Sequence, residues 1–289
     1  MLVTLLLLFS CLYNHATSGP VSRCECGVEN ISTRIIRGSK SPDGMFPWLV
    51  YIETEVDIGL QTVSSSCTGS IISDRHILTA AHCLHPNQEA RGAYVWLFQG
   101  CGKKRKSATI SPLHVIRVHR HPKYEDDDDE LSDHDLAIFE LRNPLKFNQT
   151  FMPVCFSKAG FTRTRDIDNL VAAGWGKTHG ILWGLTDSEC LQHADLAVVS
   201  DKECRSHWGD GLDMTKRMCA GGGVNICDGD SGGPLMTRSH GRVFQVGVTS
   251  FGRQDCGLKT GTPSGFERIS AHLDWIKKIT SKGQGICFK

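Results

Sequence analysis

Twelve cysteines spread from Cys24 to Cys287 limit this chain more than any other feature. The full count is thirteen, but Cys11 belongs to an N-terminal segment that the mature fold does not need. That segment is apolar from Leu2 to Phe9 and is followed by Ala16-Thr17-Ser18, a small-x-small cleavage pattern. It is too short to cross a bilayer, so residues 1–18 read as a signal peptide, and no later stretch is apolar for long enough to span. An even set of cysteines in an exported chain predicts a disulfide framework. No two of them form a CxxC pair, which points away from a zinc site. The expectation is a secreted, extracellular protein. Sequons at Asn30-Ile31-Ser32 and Asn148-Gln149-Thr150 fit a glycoprotein on that route.

Charge excludes little by force but favours no special partner. The net charge of +1 gives no bulk field for nucleic acid or a membrane surface. Residues 19–34 hold Pro20, two cysteines and a sequon with no helical or strand period, and read as a propeptide. From Ile35 onward, short apolar stretches alternate with Gly, Ser, Asp and Pro. Examples are Phe46 to Ile52, Gly69 to Leu78, Val171 to Trp175 and Val243 to Thr249. In the last, Val243, Phe244, Val246 and Val248 partly keep the two-residue period of a half-buried strand. Many such segments predict an all-β domain. One helix closes the chain, capped by Ser270, with Leu273, Ile276 and Ile279 near one face and Gly283 at its end.

Three islands carry chemistry. Leu78-Thr79-Ala80-Ala81-His82-Cys83 holds a histidine, Asp133-His134-Asp135-Leu136-Ala137-Ile138 an aspartate entering a strand, and Gly229-Asp230-Ser231-Gly232-Gly233-Pro234 a serine among glycines. A serine hydroxyl attacks poorly until an imidazole takes its proton. The imidazole in turn needs a carboxylate to fix its tautomer and stabilise the charge it gains. Glycines let the chain turn so that backbone N–H donors converge on a developing oxyanion. In this order and separation the islands resemble the chymotrypsin/trypsin family, from about Cys26 to the terminal helix.

The resemblance implies two packed six-stranded antiparallel β-barrels with a C-terminal α-helix, the first barrel over about 35–153 and the second barrel and helix over about 154–289. It implies a serine endopeptidase with His82 as general base and acid, Asp135 orienting it, Ser231 as nucleophile, and the N–H groups of Gly229 and Ser231 as oxyanion hole. It also implies a zymogen: cleavage between Arg34 and Ile35 frees an ammonium that pairs with Asp230. Arg37 stands where the family has glycine. By position the family bridges are Cys67–Cys83, Cys204–Cys219, Cys227–Cys256 and Cys26–Cys155; neighbouring loops of that fold suggest Cys101–Cys190 and Cys24–Cys287. Leu170 and Thr237 occupy both ends of a family bridge that this chain lacks.

The specificity pocket implied by the resemblance consists of Asn225, Ile226, Ser250, Phe251, Gly252 and Ser264, and the resemblance also makes Ser250 the serine that supports Asp135. Asn225 brings no charge to its base, and a buried substrate cation without a counter-charge is costly. Cleavage after an uncharged aromatic or large aliphatic residue is therefore expected. Asp228 is expected to disfavour acidic residues near the cleft. The acidic run Glu125 to Glu130 reads as a solvated loop near the cleft. The run Lys103-Lys104-Arg105-Lys106 replaces the carboxylates with which some relatives bind calcium. No metal and no cofactor are expected. Partners are polypeptide substrates, an activating protease and macromolecular protease inhibitors, with no nucleic acid and no membrane, and the protein is expected to be a monomer. The alternative is a catalytically silent protease-like protein that binds through the basic run as an exosite.

Overall fold

Why a chain of short apolar runs closes into barrels is visible in how the runs pair. The computed structural model describes residues 24–30, 39–86, 88–97, 100–101, 111–125, 131–158, 160–161, 167, 169–180, 184–186, 188–221, 226–253, 261–281 and 285–289. In chain order the first half holds β1 (Ser39–Lys40), β2 (Leu49–Ile58), β3 (Gln61–Ile71), β4 (His76–Thr79), β5 (Ala93–Trp96), β6 (Leu113–Arg120) and β7 (Ala137–Leu141). The second half holds β8 (Leu170–Gly174), β9 (Thr178–Gly180), β10 (Gly184–Thr186), β11 (Gln192–Val199), α1 (Asp201–Trp208), β12 (Arg217–Gly221), β13 (Pro234–Ser239), β14 (Arg242–Phe251), β15 (Ser264–Arg268) and α2 (Ile269–Thr280).

Strands β2-β3-β4-β7-β6-β5 form the first closed barrel. The second follows β11-β12-β15-β14-β13-β8, closed by pairing of β8 with β11. All described pairings between strands are antiparallel. The fold is thus two six-stranded barrels and a C-terminal helix. β1 is the exception to a clean division, because Ser39 and Lys40 pair with His193 and Gln192 of β11. The segment just after the expected cleavage point is therefore docked on the second barrel.

The barrels share one core. Phe46, Trp48 and Leu78 of the first half pack in the same cluster as Val171, Met236, Val248 and Ile276 of the second. Polar contacts also cross: Trp48 Nε1 donates to Met236 Sδ at 3.1 Å and Ser70 Oγ to Gln245 Oε1 at 2.7 Å. This interface explains why β14 departs from the half-buried period: Val243 to Thr249 are buried on both faces. One face fills the second barrel and the other is covered by its neighbours.

Ser270 does not cap α2. The helix starts at Ile269 directly out of β15, with Arg268 in the cap position and no side-chain cap bond, while Ser270 Oγ reaches Phe161 O at 3.4 Å. Ile276 is fully buried on the face that Leu273 and Ile279 share; Gly283 lies outside the described residues. Helix α1 was not expected, although Ser200-Asp201-Lys202-Glu203 carries a capping signature: Ser200 Oγ accepts from Glu203 N at 3.2 Å.

Disulfides join Cys24–Cys287, Cys26–Cys155, Cys67–Cys83, Cys101–Cys190 and Cys204–Cys219. Cys227 is also disulfide-bonded, and Cys256 lies outside the described residues. Leu170 and Thr237 are register partners across β8 and β13, so the missing bridge is replaced by a packed pair. Among the described residues no helix is long and apolar enough to cross a membrane.

Candidate active site

β4 ends at Thr79, and a single 3-10 turn over Ala81–Cys83 lifts His82 out of the first barrel. The Cys67–Cys83 bridge and a bond from Thr54 Oγ1 to Cys83 O at 2.9 Å hold that turn against β2 and β3. Across from it, the chain entering β7 bends at His134, whose φ is +62°, and Leu136 N donates back to His134 O at 2.7 Å. The bend points Asp135 at His82. Asp135 Oδ1 accepts the His82 backbone N–H at 2.9 Å, and Oδ2 lies 2.6 Å from His82 Nδ1.

Oδ2 also accepts Ser250 Oγ at 2.6 Å. The reason lies in β14, whose register against β15 slips between Thr249 and Phe251. Such an irregularity re-aims one side chain out of the alternating pattern, and here that residue is Ser250. Asp135 is 3% exposed, whereas the His82 side chain keeps 34% of its surface open. Burial raises the Asp135 pKa, but the His82 charge and the bonds from His82 and Ser250 outweigh it and hold the carboxyl below its ordinary value. For His82, burial acts downward, yet Asp135 outweighs it and leaves the imidazole above the ordinary 6.5. A base whose inner nitrogen is tied to a carboxylate presents its outer nitrogen to the open side.

The Ser231 turn is held against the first barrel through its backbone. Thr68 N donates to Ser231 O at 2.9 Å, and Gly232 N donates to Thr249 O at 2.9 Å. Gly232 adopts φ +76°, and a Cβ there would stand 2.0 Å from Thr79 Oγ1 and 2.8 Å from Ala80 N. Only glycine lets the serine turn press against the chain two residues before His82. Gly229, with φ +94°, is fixed by Thr68 Oγ1, which donates to its carbonyl at 2.9 Å. Sequence reasoning missed Thr68, which anchors both Ser231 and Gly229; nothing in its local pattern marks it.

Asp230 points the other way, into a recess of the second barrel. Its Oδ1 accepts Gly176 N at 2.8 Å and its Oδ2 accepts Cys227 N at 3.0 Å. A Cβ on Gly174 would lie 2.4 Å from Oδ1, and one on Gly176 2.4 Å from the carboxyl carbon. Burial pushes this carboxyl up to about 6, partly opposed by the Cys227 and Gly176 N–H donors. Gly174-Trp175-Gly176 is the sequence signal that could have found this recess.

Of the expected pocket, Ile226, Phe251 and Ser264 are buried. Ile226 and Ser264 side-chain atoms lie 3.7 Å from where a Gly252 Cβ would be, so these three converge on one space. Phe251 instead packs under α1 with Cys204 and Cys219, its ring edge-on to Trp208 at 5.0 Å. Lys177 Nζ pairs with Asp228 Oδ2 at 2.9 Å, which offsets the negative charge expected beside the cleft. Arg34, Ile35, Arg37, Asn225, the run Lys103 to Lys106, and Asp126 to Glu130 lie outside the described residues. Asn30 is turned inward, its Nδ2 donating to Gly44 O at 2.9 Å and Gln149 O at 2.7 Å. Asn148 is exposed, with Oδ1 accepting from Thr150 N and Phe151 N.

The profile of the Trypsin family matches residues 35–276. CLIP domain-containing serine protease B4 of Anopheles gambiae is 33% identical over 270 residues, covering 87% of this chain and 71% of its own length. CLIP domain-containing serine protease B10 of the same mosquito is 31% identical over 269 residues, covering 88% and 72%. Trypsin-1 of Astacus astacus is 30% identical over 247 residues, covering 84% and 98%. With its two barrels, its histidine–aspartate pair at their junction and a family match over most of its length, the chain belongs to the trypsin family of serine proteases.

Proposed function

We propose that this chain is the zymogen of a secreted serine endopeptidase that works through His82, Asp135 and Ser231. The observation that carries the reading is Asp135: one buried carboxylate receives His82 twice and Ser250 once. That arrangement holds His82 Nδ1 protonated, so Nε2 is free to take the Ser231 hydroxyl proton. The oxygen then attacks the scissile carbonyl, and Gly229 and Ser231 N–H groups stabilise the oxyanion. The imidazolium returns its proton to the leaving amine, and water repeats the sequence on the acyl-enzyme.

Residues 1–18 leave as the signal peptide, and residues 19–34 form a propeptide that stays attached. Its described part is bound by Cys24–Cys287 and Cys26–Cys155, by Val243 N donating to Gly27 O at 2.8 Å, and by Glu29 with Arg238 at 2.7 Å. Cleavage at Arg34-Ile35 by another protease frees the Ile35 ammonium for Asp230. A carboxyl raised to about 6 in its recess is one that gains from a cation. Preference for uncharged residues before the scissile bond is supported by the apolar Ile226 wall beside Ser264. To test the reading, the purified chain is cleaved at Arg34 and treated with a fluorophosphonate probe. Labelling of Ser231, absent in His82→Ala, together with faster turnover of Phe than Arg reporter peptides, is expected. No labelling after complete cleavage overturns catalysis, and equal turnover overturns the preference alone.

A further inference from the structure

Three histidines remote in sequence meet behind Asp135. His121 follows β6, His134 precedes Asp135 and His272 lies on α2, yet one ring nitrogen from each falls within 4.8 Å of the others. The His121 and His134 rings stack with centroids 4.6 Å apart and planes 2° apart. The His272 ring stands at 80° to both, 5.2 and 5.3 Å away. The proteolytic reading uses none of the three.

Each histidine keeps one nitrogen available as a donor. His272 Nε2 is 2.8 Å from Oε2 of the fully buried Glu267, which leaves Nδ1 as a donor and supplies the carboxylate–histidine support common to metal ligands. His121 Nδ1 accepts Lys123 N in a long bond of 3.3 Å, so Nε2 carries the ring proton and becomes a ligand once that proton moves to Nδ1 and the bond is given up. His134 Nδ1 is buried and has no hydrogen-bond partner, a state native proteins seldom tolerate without a ligand or water. Burial, then the neighbouring rings, push His121 down to about 4 and His134 below its ordinary value. A cleft lined by Lys123, Asp133, Trp208 and Arg217 reaches His134 from solvent.

We propose that His121, His134 and His272 form a binding site for a first-row transition dication of the zinc class, with a water entering by the cleft as fourth ligand. Three neutral imidazoles suit zinc or copper and not calcium or magnesium. Bonds of about 2.0–2.1 Å set tetrahedral nitrogens about 3.3 Å apart. Binding therefore draws the nitrogens together and turns one of the stacked rings about its soft χ2 torsion. The ion would tie α2 to the loop after β6 and to the bend before Asp135, where His121 N already donates to Leu136 O at 2.9 Å. The sequence hides the site because its ligands share no spacing.

The site stands independently of the proteolytic reading and is tested on the uncleaved chain, without activity. Zinc is titrated by calorimetry, and cobalt is followed by its tetrahedral visible absorption. One equivalent is expected to bind, raise the melting temperature and be removed by chelator. His272→Gln, which can still donate to Glu267, weakens zinc by at least about tenfold, whereas His82→Ala binds as the wild type does. Should His272→Gln fail to fold, His121→Gln decides by the same loss. Absence of binding, or binding that survives these substitutions and disappears in His82→Ala, overturns the proposal.

Discussion

Raising the pH on the uncleaved chain should draw stability out of it through Asp230. The carboxyl is pushed from its ordinary 3.8 to about 6 by burial. The folded state therefore holds that proton more tightly than the unfolded state does. Below about pH 3 the group is protonated in both states, and its contribution is at its most favourable. As pH climbs through about 6 the folded state must ionise a buried carboxyl, and the contribution is lost. At about 1.4 kcal/mol per factor of ten, the swing is about 3 kcal/mol. Asp230→Asn removes the titration but also turns an amide nitrogen toward either Cys227 N or Gly176 N, a pH-independent cost of about 1–3 kcal/mol. The absolute difference between the proteins is therefore uninformative, and its pH dependence is decisive. Urea unfolding of both, each carrying Arg34→Gln to prevent cleavage, is measured from pH 4 to pH 7.5. Wild type should lose about 2 kcal/mol of that swing relative to Asp230→Asn across that range. After cleavage at Arg34 the Ile35 ammonium should reverse the trend, because a paired carboxylate titrates below 3.8. Parallel curves for the two uncleaved proteins would refute the reasoning.

The remaining expectations use simpler readouts. Because Asp135 holds His82 above 6.5, kcat/KM should fall as pH drops through a value higher than that of a free imidazole. Ser250→Ala removes one donor from Asp135 and should lower kcat/KM about tenfold, the worth of one hydrogen bond to a charged group; an unchanged rate would remove Ser250 from the site. Glycosidase treatment followed by mass spectrometry should find one glycan, on Asn148, because both Asn30 amide hydrogens are engaged; an occupied Asn30 would show that those bonds form only without sugar. On non-reducing gels the activated protein should run as one species and release its propeptide only after reduction. Release without reductant would contradict the tether.

The sequence marks the candidate reactive groups more readily than the supports that aim them. His82, Asp135 and Ser231 stand out because each lies in a short island whose chemistry demands that residue type. The hairpin over β2 and β3 did not stand out in full, because Gln61 to Ser66 are exposed and so carry no apolar alternation. β14 was misread as half-buried because a strand between two packed layers loses its period. The resemblance implies Ser250 as the support of Asp135 but not the register slip that aims it, and Thr68 goes unmarked because its role comes from a neighbouring turn. The histidine cluster joins positions 121, 134 and 272, and only the closing helix brings the third to the other two.

Gly176 separates the proposed switch at Asp230 from the proposed catalytic residues, and Gly176→Ala tests that separation. Its added Cβ would lie 2.4 Å from both the carboxyl carbon and Oδ2 of Asp230, far inside contact distance. The carboxylate is pinned by two backbone N–H groups and cannot swing aside as a flexible side chain could. Relief must come from the backbone, and Ser231 is the next residue. Overpacking of this kind costs about 1–3 kcal/mol in stability, but the larger effect falls on geometry. A displacement of about 1 Å at a reacting group costs about a hundredfold in rate. His82, Asp135 and Ser250 lie on other elements and keep their bonds. The activated Gly176→Ala protein should therefore lose about a hundredfold in kcat/KM while retaining the wild-type acid limb of its pH profile. Gly211→Ala, with nothing within 4 Å of the new atom, should retain full activity. Were Gly176→Ala to match Gly211→Ala, the recess around Asp230 would have no hold on the nucleophile.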